Sequence, residues 1–305
     1  MRIAVLGEGM LELARSSDGP GWQLGFGGDT LNTAVHLARF GLATSYVTAL
    51  GPDPFSDALR RDWAAEGLDT GHILTDPERL PGLYAIRTDD DGERAFFYWR
   101  SASAARHMFS LTGIDDALRH MAGADLLYLS LITLAVIPPE AAERVYALCD
   151  RVRRNGGRVA FDSNYRPRLW ADAAAARTAV ERMAGRCDIA LPTASDEAML
   201  FETHDAAPIA ARWHDLGASE VAVKLGAEGC LLSGADGQQL VPAITGIHPM
   251  DTSGAGDAFN AGYLKARLEG QDSASAARCG HALAAWVITC SGALPPRTAS
   301  APYNG

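Results

Sequence analysis

The chain has 305 residues, of which 48% are hydrophobic and 21% are charged, and its formal net charge is −10 at pH 7. This composition predicts a folded chain with a large core, and the negative charge argues against nucleic acid as a partner. An acidic chain can still bind an anion where a few arginines set a positive local potential.

Strand-like and helical patterns alternate along most of the chain. The predicted strands are Ile3–Gly7, Ser45–Gly51, Asp125–Leu131, Arg158–Asp162, Asp188–Leu191, Glu220–Leu225 and Gly229–Ser233. The amphipathic segments predicted as helices between them are Leu31–Phe40, Pro54–Glu66, Glu140–Arg154 and Ala206–Leu216. Short apolar strands separated by helices indicate an α/β fold, with a central, mostly parallel sheet flanked by helices. We expect residues 1–305 to form a single domain.

Residues 84–100 interrupt this alternation. Tyr84–Thr88 and Arg94–Arg100 are strand-like and are joined by the polar turn Asp89–Gly92, with no helix between them. This arrangement predicts an antiparallel hairpin. The polar segment Arg15–Gln23 is a second candidate for strands outside the main sheet. We therefore expect a small β lid, built from the segments 11–27 and 82–103.

The chain carries no pattern typical of export or membrane insertion. Its N-terminus enters the first predicted strand directly, and no apolar stretch reaches the roughly 20 residues of a transmembrane helix. The five cysteines form no C-x-x-C pair, and the histidines have no spacing typical of a metal site, so we assign no metal ligand. We expect a cytoplasmic protein with reduced cysteines and no membrane partner.

The segment Asp251–Phe259 reads Asp-Thr-Ser-Gly-Ala-Gly-Asp-Ala-Phe and leads into a helical pattern. Two glycines separated by one alanine allow a tight turn that exposes N–H groups at a helix N-terminus, where phosphate binds well. Asp257 falls in the first helical turn, which favours its ionised form, and we expect it to act as a weak base. The alternative is a glycine-rich turn with a capping Asp and no ligand.

Two further polar clusters stand next to predicted elements. Gly27–Asn32 reads Gly-Gly-Asp-Thr-Leu-Asn and begins a helix, and an N-cap at Asp29 or Thr30 would explain only one of its polar residues. Asp162–Pro167 reads Asp-Ser-Asn-Tyr-Arg-Pro and directly follows a strand, at the end where ligands bind in open α/β sheets. Its alternative is an Asx-type turn that Pro167 stops.

These three strings, in this order, resemble the signatures of the PfkB (ribokinase-like) carbohydrate kinases. The resemblance implies a ribokinase-like fold and the transfer of phosphate from ATP, with Mg²⁺, to a sugar hydroxyl. It implies that Asp257 is the catalytic base and that the amides of Gly254, Ala255 and Gly256 form an anion hole for the transferred group.

The same resemblance assigns the binding residues by position. It implies a sugar site that includes Gly27, Gly28, Asp29 and Asn32. It implies a nucleotide site that includes Ser163, Asn164, Lys224, Gly226, Gly229, Gly254 and Gly256.

The predicted hairpin carries the signal for substrate choice. Strand alternation puts Tyr98 and Arg100 on one face, and an arginine facing a sugar site suits a carboxylate, which it binds with two parallel hydrogen bonds. The run Tyr98–Arg100, with the strings above, resembles PfkB kinases of 2-keto-3-deoxygluconate more than fructokinases or ribokinases. That likeness implies contacts from Tyr84, Tyr98, Arg100 and Arg166 to a sugar acid. If Arg100 is instead a solvated edge residue, a neutral sugar such as fructose or ribose is the alternative substrate.

One family motif is altered in this chain. Many PfkB kinases carry Asn-x-x-Glu, a motif that helps to organise magnesium and phosphate. Here the matching segment has Thr193 in place of Asn, and either Asp196 or Glu197 could supply the carboxylate.

Three other functions are weighed against this one. A dinucleotide-binding dehydrogenase is disfavoured because Glu12 stands where the third glycine of Gly7-x-Gly9 should follow, and a P-loop kinase is excluded because no Walker A string is present. A non-catalytic sugar-binding protein would be expected to lack Asp257.

The predicted lid also bears on the oligomeric state. An apolar lid face with Phe97 and Trp99 indicates a homodimer formed through the lid.

Overall fold

The computed structural model describes residues 1–15, 21–88, 94–298 and 300–303. The predicted turn Asp89–Gly92 and most of the polar segment Arg15–Gln23 lie outside these residues. The strands are β1 (Arg2–Leu6), β2 (Met10–Arg15), β3 (Trp22–Gly27), β4 (Ala43–Val47), β5 (Ala49–Leu50), β6 (Leu74–Thr75), β7 (Leu83–Thr88), β8 (Arg94–Trp99), β9 (Leu126–Ser130), β10 (Arg158–Asp162), β11 (Ile189–Ala190), β12 (Glu220–Lys224), β13 (Cys230–Gly234) and β14 (Gly237–Val241). The helices are α1 (Asp29–Arg39), α2 (Pro54–Ala65), α3 (Ile114–Ala122), α4 (Leu131–Val136), α5 (Pro139–Arg154), α6 (Ala173–Ala184), α7 (Ala194–Phe201), α8 (Ala206–Asp215), α9 (Ala255–Leu268) and α10 (Ser273–Ile288).

Eight strands form the main sheet, in the order β14-β13-β12-β11-β10-β9-β1-β4. The six strands from β12 to β4 pair in parallel, and β13 and β14 add an antiparallel edge. The connection between β12 and β13 is too short for a crossover, which is why β13 turns back against β12. The predicted α/β fold with a mostly parallel sheet is confirmed.

Helices cover both faces of the main sheet and form two apolar cores. Along β9, Leu127 and Leu129 point into one core, whereas Leu126 and Tyr128 point into the other. Because both faces are buried, the strands read as continuous apolar runs in the sequence instead of alternating ones. No helix within the described ranges is long and apolar enough to cross a membrane.

Four strands outside the main sheet form a second sheet, in the order β3-β2-β7-β8, which we call the small sheet. Its strand β2 pairs in parallel with β7, and β7 and β8 form the predicted antiparallel hairpin. The register places Tyr84 opposite Tyr98 and Ile86 opposite Phe96, so these four side chains share a face. That face points into a cleft above the main sheet.

The predicted strand Ser45–Gly51 is wrong in one respect, because it is two strands in different sheets. The chain leaves the main sheet after Val47, and β5 then pairs with β6 in a two-stranded sheet. The amide of Leu74 donates to the Thr48 carbonyl at 2.9 Å in the new pairing. Both pieces are largely buried, so the apolar pattern contains no sign of the change in direction.

Candidate active site

The cleft has a volume of about 700 Å³ and lies between the carboxyl ends of the main-sheet strands and the small sheet. Most of the predicted site residues line it together. These are Gly28, Asp29, Asn32, Tyr84, Tyr98, Arg100, Asn164, Arg166, Lys224, Gly254, Ala255, Gly256 and Asp257.

The floor of the cleft includes the tight turn that leads into α9. Gly254 is the N-cap of α9 with φ of 72°, and a Cβ at this position would lie 2.5 Å from Cβ of Ala293. The carboxylate of Asp251 fixes the turn by accepting from the amides of Ser253 at 2.9 Å and Gly292 at 2.6 Å. The first N–H groups of a helix have no acceptor within it, so the N-terminus of α9 presents donors to the cleft, although the Ala255 amide also donates to the Thr252 carbonyl at 3.3 Å.

Asp257 lies in the first turn of α9 and is almost completely buried. Asn32 of α1 donates to its Oδ2 at 2.8 Å. Burial raises the pKa of the Asp257 carboxyl to about 8, with the negative charge of Asp29 adding to the effect and Lys224 opposing it. The expectation of a carboxyl held ionised by the helix N-terminus is therefore wrong, because burial outweighs the helix dipole here.

A buried polar network joins four elements, β9, β10, β12 and α9, beside Asp257. Lys224, at the end of β12, contacts Asp162 Oδ2 at 3.0 Å and Asn260 Oδ1 at 3.2 Å. Asn260 of α9 also donates to Asp162 Oδ2 at 2.7 Å and to the hydroxyl of Tyr128 at 3.0 Å. A Cβ on Gly256 would lie 3.7 Å from the Lys224 ammonium. The network thus fixes a cation next to the turn at the N-terminus of α9.

The two remaining predicted strings meet across this network. Gly28 is the N-cap of α1 and makes no side-chain cap bond, so neither Asp29 nor Thr30 is the cap. Instead Asp29 Oδ2 accepts from Asn164 Nδ2 at 3.1 Å. The amide of Asn164 donates to Asp162 Oδ1 at 3.2 Å, so an Asx-type turn does form after β10. It uses only one oxygen of Asp162, and the other binds the network.

The small sheet supplies the opposite wall, with the side chains of Met10, Glu12, Tyr84, Ile86, Phe96, Tyr98 and Arg100 facing the cleft. The hydroxyl of Tyr84 donates to Glu12 in a short hydrogen bond, and burial followed by the Glu12 charge raises the pKa of Tyr84. A Cβ on Gly27 would lie 2.2 Å from the Tyr84 hydroxyl, so a side chain at this position would displace Tyr84. Gly27 supports Tyr84 from behind and is not part of the cleft lining.

Arg100 is not a solvated edge residue, since only 11% of its side chain is exposed. Its Nε donates to Glu8 Oε2 at 2.7 Å, and its guanidinium carbon lies 5.9 Å from the centre of the Tyr98 ring. The alternative in which Arg100 points into solvent is therefore excluded. The sequence did not single out Glu8 as its partner.

The two candidate carboxylates after β11, Asp196 and Glu197, face in different directions. Asp196 lines the cleft, accepts from the Tyr165 amide at 3.2 Å and lies 3.7 Å from the Arg166 guanidinium. Glu197 points the other way and is held by Arg212 and by the indole N–H of Trp213 at 3.2 Å. Thus Asp196 and Thr193 face the cleft, whereas Glu197 anchors α7 to α8.

Four of the predicted binding residues lie outside the cleft lining: Gly27, Ser163, Gly226 and Gly229. Ser163 is buried, and Gly226 lies on a turn after β12. Gly229 has φ of 109°, and a Cβ there would lie 2.1 Å from the Val241 carbonyl oxygen. This glycine therefore allows the β13–β14 hairpin to pack closely.

The cleft also contains residues that the motifs did not indicate, among them Met10, Glu12, Ile132, Met250, Gly292 and Ala293. Met10 and Glu12 are two residues apart on β2 and therefore share a face, so strand alternation could have predicted that both line the cleft. Gly292 and Ala293 lie in an irregular segment after α10, and no local pattern links them to the turn at Gly254.

The donor set of the cleft suits a metal carried by a ligand better than one held by the protein. Within the described ranges, no group of three or more His, Cys, Asp or Glu side chains could hold a metal ion. Asp196 and Asp162 nevertheless line the same cleft as the N-terminus of α9 and carry carboxylate oxygens. Mg²⁺ commonly binds through one or two carboxylates plus phosphate oxygens, so these residues fit a magnesium–nucleotide complex.

A buried carboxylate, a helix N-terminus and a fixed cation in one cleft are the parts that a small-molecule phosphotransferase of the α/β class needs. Residues 2–299 match the model of the pfkB family carbohydrate kinases, and the chain belongs to that family. The 2-dehydro-3-deoxygluconokinase of Escherichia coli strain K12 is 43% identical over 305 residues, covering 98% of each chain. The enzyme of the same name from Haemophilus influenzae is 34% identical, covering 98% of this chain and 96% of its own. The crystal structure of a PfkB protein from Polaromonas sp. JS666 has a TM-score of 0.83 at 29% identity, covering 93% of this chain and 94% of that one.

Proposed function

We propose that the chain is a 2-dehydro-3-deoxygluconokinase, which transfers a phosphoryl group from ATP to the terminal hydroxyl of 2-keto-3-deoxygluconate. The relatives named above support this activity because they share 34–43% of their residues with nearly the whole chain. The observation that carries the proposal is the position of Arg100, which lines the same cleft as Asp257. A sugar acid needs a cation at one end and a base at the other.

The chemistry follows from the floor of the cleft. The terminal hydroxyl of the sugar attacks the γ-phosphorus of ATP and transfers its proton to the carboxylate of Asp257. A new O–P bond forms as the bond from phosphorus to the β,γ-bridging oxygen breaks, and ADP leaves. The amides of Gly254, Ala255 and Gly256 stabilise the charge on the equatorial oxygens.

Lys224 and Asp196 would serve the nucleotide. Asp162 and Asn260 hold the Lys224 ammonium beside the turn at Gly256. From this position Lys224 would contact a phosphate bound at the turn. Asp196 would bind Mg²⁺ directly or through a water molecule, and bound Mg²⁺ would neutralise part of the charge of the phosphates.

The sugar would lie between the two walls. Arg100 and Arg166 are the candidate partners of the carboxylate, and holding that group fixes the distance to the terminal hydroxyl. Asn32 and Asp29 are candidates to form hydrogen bonds with the hydroxyl groups of the sugar. We infer that the small sheet acts as a lid on a single kinase domain, because its inner face closes over the site and would exclude water.

Two copies of the chain would pair through the outer face of the small sheet. Trp22, Leu24, Phe97 and Trp99 are 51%, 51%, 48% and 60% exposed, and they alternate with the side chains that face the cleft. Large exposed apolar side chains on one face of a sheet are typical of an interaction surface. A homodimer would bury it without blocking the cleft. A cytoplasmic location remains part of the proposal and agrees with the five free cysteines.

A PfkB kinase for fructose or ribose is the alternative, and it would make Arg100 dispensable. A sugar-binding protein without catalysis is disfavoured because Asp257 and the turn at Gly254 are both in place. The test is ADP release measured with 2-keto-3-deoxygluconate, its galactonate epimer, fructose and ribose as acceptors, with Asp257→Asn as the blank. Turnover confined to the keto-deoxy acids is expected, and faster turnover of fructose or ribose would contradict the proposed substrate.

A further inference from the structure

Three passages of the chain between the main sheet and the small sheet meet at one point. Glu8 lies between β1 and β2, Gly82 precedes β7, and Arg100 follows β8. The amide of Leu11 donates to the Gly82 carbonyl at 2.9 Å. A Cβ on Gly82 would lie 2.8 Å from Glu8 Oε1 and 3.3 Å from Cβ of Arg100, so the three passages are in close contact.

An ion pair closes this junction. Both Nε and Nη2 of Arg100 bind the same oxygen of Glu8, Oε2, and the Glu8 side chain is only 1% exposed. Its other oxygen, Oε1, is also buried and has no hydrogen-bond partner among the residues that the structure describes. A buried pair with an unsatisfied oxygen is a weak stabilising device, because desolvation offsets most of the attraction.

The pair has a clear effect on the direction of Arg100. A guanidinium carries five N–H donors in a rigid plane, and Glu8 engages the edge formed by Nε and Nη2. The donors that remain belong to a side chain that lines the cleft. The Tyr98 ring flanks the same group. Glu8 therefore fixes the plane in which Arg100 can bind a carboxylate.

We propose that Glu8 is a positioning residue for substrate recognition, which holds Arg100 in the orientation that binds the acidic group of the sugar. This inference rests on the proposed function, because it assumes that Arg100 contacts the substrate. It adds that recognition depends on a preset geometry more than on net charge, since the Glu8 carboxylate offsets the charge of Arg100.

A double-mutant cycle on the full-length enzyme tests the inference, using Glu8→Gln, Arg100→Ala and the double variant with 2-keto-3-deoxygluconate and ATP. Glu8→Gln is expected to raise KM for the sugar acid about 10-fold and to leave KM for ATP within twofold. The double variant is expected to match Arg100→Ala. Glu8→Asp, which keeps a carboxylate that can accept from both Nε and Nη2 of Arg100, should recover part of the loss.

Glu220→Gln is the matched control, because it breaks the ion pair of Glu220 with Arg267 (2.7 Å), which is not part of the cleft lining. It should leave both KM values unchanged. The inference would be overturned if the KM increases of Glu8→Gln and Arg100→Ala multiplied in the double variant. It would also be overturned if Glu8→Gln lowered the melting temperature and left the KM for the sugar acid unaltered. If Arg100→Ala leaves the KM for the sugar acid unchanged, the proposed function fails together with this inference. If Arg100→Ala raises this KM and Glu8→Gln leaves it unchanged, the inference fails and the proposed function stands.

Discussion

The two walls of the cleft are built differently. On the main-sheet side, Asp162, Lys224, Asp257 and Asn260 are at most 9% exposed. Hydrogen bonds join Asp162, Lys224 and Asn260 to one another, and Asp257 accepts from Asn32. On the small-sheet side, Met10, Tyr84 and Ile86 are also buried, but Phe96 and Tyr98 on the edge strand β8 are 37% and 50% exposed, and Arg100 pairs with Glu8. A wall that is buried and hydrogen-bonded suits the step in which bonds change, whereas a wall with an exposed edge strand suits binding and release of the sugar. Changes in the first wall should therefore reduce kcat, and changes in the second should raise KM.

The largest effect is expected from Asp257→Asn, which removes the base and keeps the shape. Loss of a positioned general base costs about 10²–10⁴-fold in rate, and we expect kcat to fall by about 10³-fold with KM for the sugar within threefold. Steady-state kinetics with 2-keto-3-deoxygluconate measure both. A large rise in KM with unchanged kcat would assign Asp257 to binding instead.

Gly254→Ala should lower kcat by about 10–10²-fold, because the new Cβ would meet Ala293 and displace the amides of the anion hole. Gly270→Ala is the matched control. Gly270 has a similar φ of 83°, and a Cβ there would meet no atom of the described residues within 4 Å, so it tests backbone strain alone. Equal losses of activity in the two variants would show that strain, and not the anion hole, is responsible.

The raised pKa of Asp257 predicts a pH limb for the reaction. The base must be ionised, so kcat/KM is expected to rise about tenfold per pH unit and to level off near pH 8. The ammonium of Lys224 lowers this pKa, so Lys224→Met should move the limb to higher pH. A flat profile between pH 6 and 9 in the wild type would contradict the assignment of Asp257 as base.

The same pKa has a consequence for stability with the opposite sign. The folded pKa lies above the unfolded value of 3.8, so folding favours the protonated form; this contribution is present below about pH 4 and is lost as the pH rises through about 8. Asp257→Asn should then unfold at least about 2 °C higher than the wild type at pH 8 and show less gain at pH 4. Thermal denaturation at the two pH values measures this, and equal shifts would contradict it.

The smallest effect on activity is expected on the outer face of the small sheet. Trp99→Ser should shift the chain from dimer to monomer in sedimentation velocity and change kcat less than threefold. Met199→Ser is the matched control, since Met199 is an exposed apolar residue (56%) on α7, away from this face. A wild-type chain that sediments as a monomer would contradict the proposed dimer.

The sequence predicted the main-sheet wall of the cleft better than the small-sheet wall. The strings at Gly27–Asn32, Asp162–Pro167 and Asp251–Phe259 lie next to strands and helices with clear patterns, and the parallel sheet brings them together. The antiparallel hairpin followed from two strand-like runs joined by a polar turn, and the family resemblance implied that Tyr84 and Tyr98 face the substrate. In these cases local pattern and global fold agree.

What the sequence could not reveal depends on distant contacts. Glu8 meets Arg100 through a separation of 92 residues, and Ala293 meets Gly254 through an irregular segment. The pKa of Asp257 likewise depends on burial by several elements, so the local helix position predicted the wrong direction. The break between β4 and β5 was hidden because both strands are buried.

The most direct test of the division between the two walls is kcat/KM for 2-keto-3-deoxygluconate and for fructose, in the wild type and in Arg100→Ala. The account predicts that the value for the sugar acid falls about 10²-fold or more, mainly through KM, while the low value for fructose stays within threefold. An equal loss for both sugars, or a loss confined to kcat, would contradict the claim that substrate choice lies in the small-sheet wall.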